Sequence, residues 1–278
     1  MIVTARERVL TSLRHEQPDW APYQLDAASE LKAKVVAETE NPNFWREAGN
    51  HLAKLEFGGF TEIGPNLYKD IFGVILDRSV DKDIGVVKNY LLAEGELKAF
   101  IFPEPSVVFP EEGTIKAFLQ ENQERFRVFN IGFSMFERAW TLRGMEQILM
   151  DMLEEPVFVH TLLDRILEFN LSVIDQALEY DFDAVHFGDD WVQQHGLLMG
   201  PKLWREFIKP RVAAMYARVK EKGRYVVQHS CGDIQELFPD LIAIGLDVFN
   251  TFQSEVMDVV QIKKEYRKNL TFYGLAVC

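Results

Sequence analysis

The sequence predicts an α/β protein, a (β/α)8 barrel of the TIM type with about six of its eight strands present, and three observations carry that expectation. From Gly113 onward, short runs rich in β-branched and aromatic residues alternate with long helical stretches. Such alternation implies right-handed βαβ units and a parallel sheet. No G-x-G-x-x-G follows the first expected strand, which weakens the doubly wound, dinucleotide-binding alternative. Polar residues recur at the C-terminal ends of the expected strands: Asp26, Asp189, His229, Asn250 and Tyr273. In a barrel these ends converge on one mouth, where barrel chemistry takes place.

Thr4 to Arg14 opens the chain as a helix, with Thr4 and Glu7 spaced as a capping box and Val9, Leu10 and Leu13 on one face. Ala21 to Leu25 reads as the first strand, ending at Asp26. Helices are expected over Ser29–Glu38 and Asn43–Leu55. The stretch 58–110 is rich in Gly and Pro and holds short β-like runs, so it reads as an insertion near the barrel mouth with a hairpin. The remaining pattern is regular. Strands are expected around Val128, Val185, Val227, Phe249 and Phe272. Helices are expected over Thr114–Glu124, Met135–Leu153 with an interruption at Gly144, Pro156–Tyr180, Pro201–Lys220, Ile234–Ile244 and Val256–Tyr266. Residues 1–278 then form a single domain.

Composition bounds the function. The chain has 278 residues, 47% of them hydrophobic, so a sizeable core is available. Its net charge of -13 argues against nucleic acid as a partner, because phosphate binding needs clustered Lys and Arg. Two cysteines, Cys231 and Cys278, do not make a disulfide framework and point to a reducing cytoplasm. No apolar run approaches the length of a membrane span, and the first residues lack the apolar core of a signal peptide.

The chemistry-bearing residues cluster at strand ends. His229 and Cys231 are two apart, and in an extended segment residues i and i+2 face one side. Imidazole and thiolate together suit Zn²⁺, although two ligands do not complete a tetrahedral site. The alternative is a satisfied core histidine beside a small buried cysteine. Gly232 permits a sharp departure of the backbone after them. Asp189 and Asp190 are candidate catalytic residues: adjacent carboxylates repel, so one can serve as an acid or orient a ligand. The competing reading is a helix cap beside a solvated acid. Asp26, Glu137, Gln228, Asn250, Gln253 and Tyr273 are candidate substrate-binding residues, with Arg138 beside Glu137. His186 lies inside its strand and reads as a packed histidine.

These motifs, in this order, resemble the uroporphyrinogen decarboxylase-like superfamily. The resemblance rests on Thr4-Ala5-Arg6-Glu7-Arg8-Val9-Leu10 with Pro18-Asp19 and Pro22, on Phe187-Gly188-Asp189-Asp190-Trp191, on Pro201-Lys202-Leu203-Trp204 with Phe207-Ile208-Lys209-Pro210, and on His229-Ser230-Cys231-Gly232. It implies a (β/α)8 barrel. Within the superfamily, true uroporphyrinogen decarboxylases carry arginines after the first strand that grip the substrate carboxylates. Here the matching stretch, Tyr23-Gln24-Leu25-Asp26-Ala27-Ala28, has none. The chain is more similar to the zinc-dependent, corrinoid-linked methyltransferases, which carry H-x-C-G at this strand end. That likeness implies a methyltransferase with Zn²⁺ held by His229 and Cys231, a small-molecule thiol or methylated substrate, and a corrinoid supplied by a partner protein. Two alternatives stay open: a uroporphyrinogen decarboxylase, and a truncated barrel without catalysis.

Relatives continue past the position of Gly274, and the third zinc ligand of the family belongs to that part. The expectation is therefore a truncated chain with an incomplete zinc site, which Cys278 could complete. Homo-oligomerisation would cover its open sheet edge.

Overall fold

The computed structural model describes residues 3–82, 84–94, 97–194 and 196–274. Its centre is a six-stranded parallel sheet: β1 (Leu52–Phe57), β2 (Phe126–Ile131), β3 (Ala184–Gly188), β4 (Tyr225–His229), β5 (Val248–Asn250) and β6 (Thr271–Phe272), in that spatial order. Helices connect successive strands. This is the arrangement of a TIM-type barrel with six of its strands.

Two sequence expectations are corrected at the start of the sheet. The first strand is Leu52–Phe57, not the segment around Tyr23, and the helix expected to reach Leu55 is only the turn Phe44–Glu47. Gly49, at φ +74°, stops that helix. The alternating run Leu52-Ala53-Lys54-Leu55-Glu56-Phe57 then pairs with β2 along its whole length. Residues 21–25 run beside it but are tied mostly by side chains. Asn50 bonds Leu25 N and O at 2.7 and 2.9 Å, and Gln24 Oε1 accepts from Leu52 N at 3.2 Å. A run of six residues is too short for its period alone to separate strand from helix, which is why this segment misleads.

The sheet separates two apolar layers because side chains alternate. Leu55, Phe57, Phe129, Ile131, Val185, Phe187, Val226, Phe249 and Phe272 face the helices and join the main core. Phe126, Val128, Ala184, Val227 and Val248 face the barrel interior and pack on Val9 and Leu13 of the Ala5–Leu13 helix. That helix carries the expected capping box between Thr4 and Glu7. It plugs the N-terminal end of the barrel, where Arg6 grips buried Asp183 at 2.6 Å. The interior is thus apolar at the bottom. Further along the same inward face the residues turn polar: Glu56, Asn130, His186, His229 and Asn250.

Between β1 and β2 the chain forms a four-stranded antiparallel sheet of Phe60–Gly64, Leu67–Asp70, Ile75–Asp77 and Val86–Val87. Its Phe72, Val74, Leu76 and Val87 are buried in the main core. The hairpin expected in 58–110 is thus part of a larger sheet. The long helix after β2 is divided at Gly144 (φ +103°) into Phe136–Arg143 and Met145–Glu154, as its glycine suggests. The helix expected over Pro201–Lys220 holds a π turn at Trp204–Ile208, which buries Trp204, Phe207 and Ile208. Among the described residues, no helix is long and apolar enough to cross a membrane.

Candidate metal centre

The C-terminal ends of β3 and β4 bring three ligand-type side chains together. One donor atom each from Asp190, His229 and Cys231 lies within 4.8 Å of the others. Cys231 Sγ is 3.5 Å from His229 Nε2, and Asp190 Oδ1 is 3.7 Å from the same nitrogen. All three residues are half-buried.

The local fold explains the convergence. His229 ends β4 opposite Gly188 on β3 and Asn250 on β5. Gly188 has no side chain to crowd the imidazole, and a Cβ there would stand only 3.4 Å from the Gly132 Cα. The chain then turns at Ser230, whose N–H donates to Asn250 O at 2.7 Å. Cys231 N donates to Asp190 Oδ1 at 2.7 Å, which ties the thiol-bearing loop to the carboxylate. Gly232 follows at φ +77°, where a Cβ would collide with the Gln193 carbonyl and Val192. Only glycine lets the backbone leave the site there.

Asn250 sets the histidine. Its Nδ2 donates to Tyr273 O at 2.9 Å, so its Oδ1 faces His229 Nδ1 at 2.7 Å. An acceptor there requires the proton on Nδ1 and leaves the Nε2 lone pair toward Cys231 and Asp190.

The two aspartates have different places. Asp189 is fully buried and accepts from the main-chain N–H of Met135 (3.2 Å), Phe136 (3.0 Å) and Glu137 (2.8 Å), and from Trp191 Nε1 (2.5 Å). It caps the Phe136–Arg143 helix. Burial pushes its carboxyl up to about 6, against the opposing pull of these donors. Asp190 reaches the His229–Cys231 pair instead. Glu137 is buried beside them, and burial, then the charges of Asp190 and Asp189, raise it well above the ordinary carboxylate range.

The other sequence candidates divide. Gln253 is buried and its Oε1 accepts from Gly232 N, so it holds the loop after Cys231. Gln228 is on the opposite face of β4, fully buried, accepting from Tyr216 OH at 2.6 Å. Asp26 is exposed and paired with Lys32 at 2.5 Å. Tyr273 is partly buried, and burial pushes its phenol up to about 12, with Asp26 adding to the shift. Arg138 is buried against Asp70 and stacks 4.1 Å from the Phe72 ring centre, so it ties the antiparallel sheet to the barrel. Cys278 lies outside the described residues. Sequence reasoning missed two inward residues of the sheet, Lys54 and Asn130; the alternation of Leu52–Phe57 was the signal for the first.

The family model described as uroporphyrinogen decarboxylase (URO-D) matches residues 113–274, more than half of the chain. The chain belongs to the URO-D family. Its fold is similar to that of a solved structure, a methyltransferase from Methanosarcina mazei, with a TM-score of 0.73 at 15% sequence identity. The match covers 98% of this URO-D chain and 82% of the other. No curated protein matches by sequence.

Proposed function

We propose that this URO-D family protein is a zinc-dependent methyltransferase. It moves a methyl group between a small-molecule thiol or methylated substrate and a corrinoid held by a partner protein. The observation that carries this reading is the convergence of Asp190, His229 and Cys231 at the C-terminal ends of adjacent strands. One nitrogen, one sulfur and one oxygen donor are a set that suits Zn²⁺, and three protein ligands leave a fourth position for substrate. Asp190 is the third ligand in this reading, in place of a residue beyond Gly274. When bound there, zinc supplies Lewis-acid activation, lowering the pKa of a coordinating thiol so that it is nucleophilic at neutral pH. The protein's own residues prepare the place. Asn250 fixes the histidine tautomer, the Cys231 N–H orients Asp190, and Gln253 and Gly232 hold the turn behind the thiol.

The fold likeness to a methyltransferase and the absence of arginine in residues 23–28 support this reading over decarboxylation. The test is metal analysis of wild type and His229→Ala, followed by a methylcobalamin–thiol assay. Zinc near one equivalent in wild type, lost in the variant, with thiol methylation, is the expected result. Wild type that takes up no zinc overturns it, and CO₂ release from uroporphyrinogen would favour the decarboxylase.

A further inference from the structure

Inside the barrel, next to the metal triad, lies a set of polar side chains that the triad does not use. His186 on β3 is only 4% exposed, and neither ring nitrogen has a hydrogen-bond partner among the described residues. Register places Asn130 directly across from it on β2. The Asn130 Oδ1 is also buried without a partner, while its Nδ2 donates to Glu56. Because that donation goes to a carboxylate, flipping the amide would set oxygen against oxygen. The unpaired atom is therefore an acceptor.

Lys54 points inward from β1 and is largely withdrawn from solvent. It forms no close ion pair among the described residues, although the charges of Glu56 and Asp26 reach it, and its ammonium stands 5.6 Å from the centre of the Tyr273 ring. Burial lowers its proton affinity, against the pull of the Glu56 and Asp26 charges. The His186 imidazole carries at least one ring N–H that needs an acceptor. The His186 ring centre is 6.2 Å from that of His229, so whatever these groups bind lies beside the metal triad.

Buried polar groups are nearly always hydrogen-bonded, and an ammonium inside a protein is nearly always paired with an anion. An occupant that satisfies all three must present an anion to Lys54, a hydrogen-bond partner to His186 and an N–H or O–H to Asn130 Oδ1. We propose that Lys54, Asn130 and His186 form the binding subsite for the carboxylate end of a small hydroxy or amino acid, whose methyl-bearing heteroatom faces Asp190, His229 and Cys231. The inference rests on the metal-site reading for the reaction it serves, but not for the binding itself.

Calorimetric titration of the full chain tests it, with 2-hydroxy-4-(methylthio)butanoate and its carboxamide as probes. Both carry the hydroxyl donor and the methyl group, and only the acid carries the charge. Wild type should bind the acid about tenfold or more tightly than the amide. Lys54→Met should abolish that preference, and His186→Phe should weaken the acid about tenfold. Equal affinity for the two probes, or a preference that survives Lys54→Met, overturns the subsite. Should Lys54→Met fail to fold, Lys54→Gln and the wild-type ratio decide. Zinc content measured on the same samples separates the two readings. Normal zinc without acid preference removes the subsite alone. Acid preference in protein that takes up no zinc supports the subsite and removes the metal-site reading.

Discussion

Asn250 Oδ1 lies 2.7 Å from His229 Nδ1, and this one contact decides which face of the imidazole is available to a metal. Its direction is set one step further out, where Asn250 Nδ2 donates to the carbonyl of Tyr273. Replacing Asn250 by Ala removes the acceptor and frees both the tautomer and the ring rotation. Zinc affinity measured against a competing chelator should fall about 10- to 100-fold. Asn250→Asp keeps an acceptor for Nδ1 but sets an oxygen against the Tyr273 carbonyl, so it should lose some affinity, though less than Asn250→Ala. Equal losses in both variants would mean that the contact serves packing rather than orientation.

Gly232 gives a more local test. The Cβ of alanine would meet the Gln193 carbonyl and the Val192 side chain at a backbone angle of +77°. The cheapest relief is a shift of the turn that carries Cys231. Gly232→Ala should therefore lose bound zinc while the far-ultraviolet circular dichroism stays that of wild type. A variant that keeps full zinc would show that Cys231 does not need this turn.

Much of this site was legible because it obeys a period of two. His229 and Cys231 fall on one side of an extended segment, and the structure brings them together as the spacing demands. The same rule would have excluded Gln228, which precedes His229 and so faces the helices, where Tyr216 satisfies it. Asp189 and Asp190 were legible as a pair but not individually. Which of them caps and which reaches the metal ligands depends on where the Phe136–Arg143 helix begins, a long-range contact that no local pattern encodes. Leu52–Phe57 misleads because so short a run fits either period, and the inward position of Lys54 is lost with it. The capping box of Thr4 and Glu7 and the break at Gly144 depend only on near neighbours, and both are as the sequence implies.

Asp189 is predicted to matter for stability more than for chemistry. It satisfies three main-chain donors at the start of a buried helix together with the indole of Trp191. Asp189→Ala leaves these donors buried without partners, at about 1–3 kcal/mol for each one that water cannot reach. A loss of about 3 kcal/mol or more in urea unfolding is expected. Asp190→Ala, at a half-exposed position, should cost under about 1 kcal/mol while removing the metal. If the two variants lose zinc equally at equal stability, the division of roles between them is wrong.

Asp240 supplies a pH-dependent test away from the metal centre. Its carboxylate sits between Lys209 Nζ at 2.6 Å and Arg205 Nε at 2.9 Å, joining the Phe238–Ala243 helix to the segment that carries Trp204 and Phe207. Burial opposes the charge, but the hydrogen bonds and charges of these two cations outweigh it and hold the carboxyl below its ordinary value of 3.8. A carboxyl depressed in the folded state binds its proton more readily when unfolded. Its stabilisation is therefore fully present above the unfolded value, near pH 4, and is lost as pH falls through the folded one. Partial exposure of the cations limits the effect to about 1 kcal/mol. The stability difference between wild type and Asp240→Asn should be constant from pH 7 to about 5 and shrink toward pH 3. A difference that does not change with pH would mean that the side chain acts through its shape and hydrogen bonds, not through its charge.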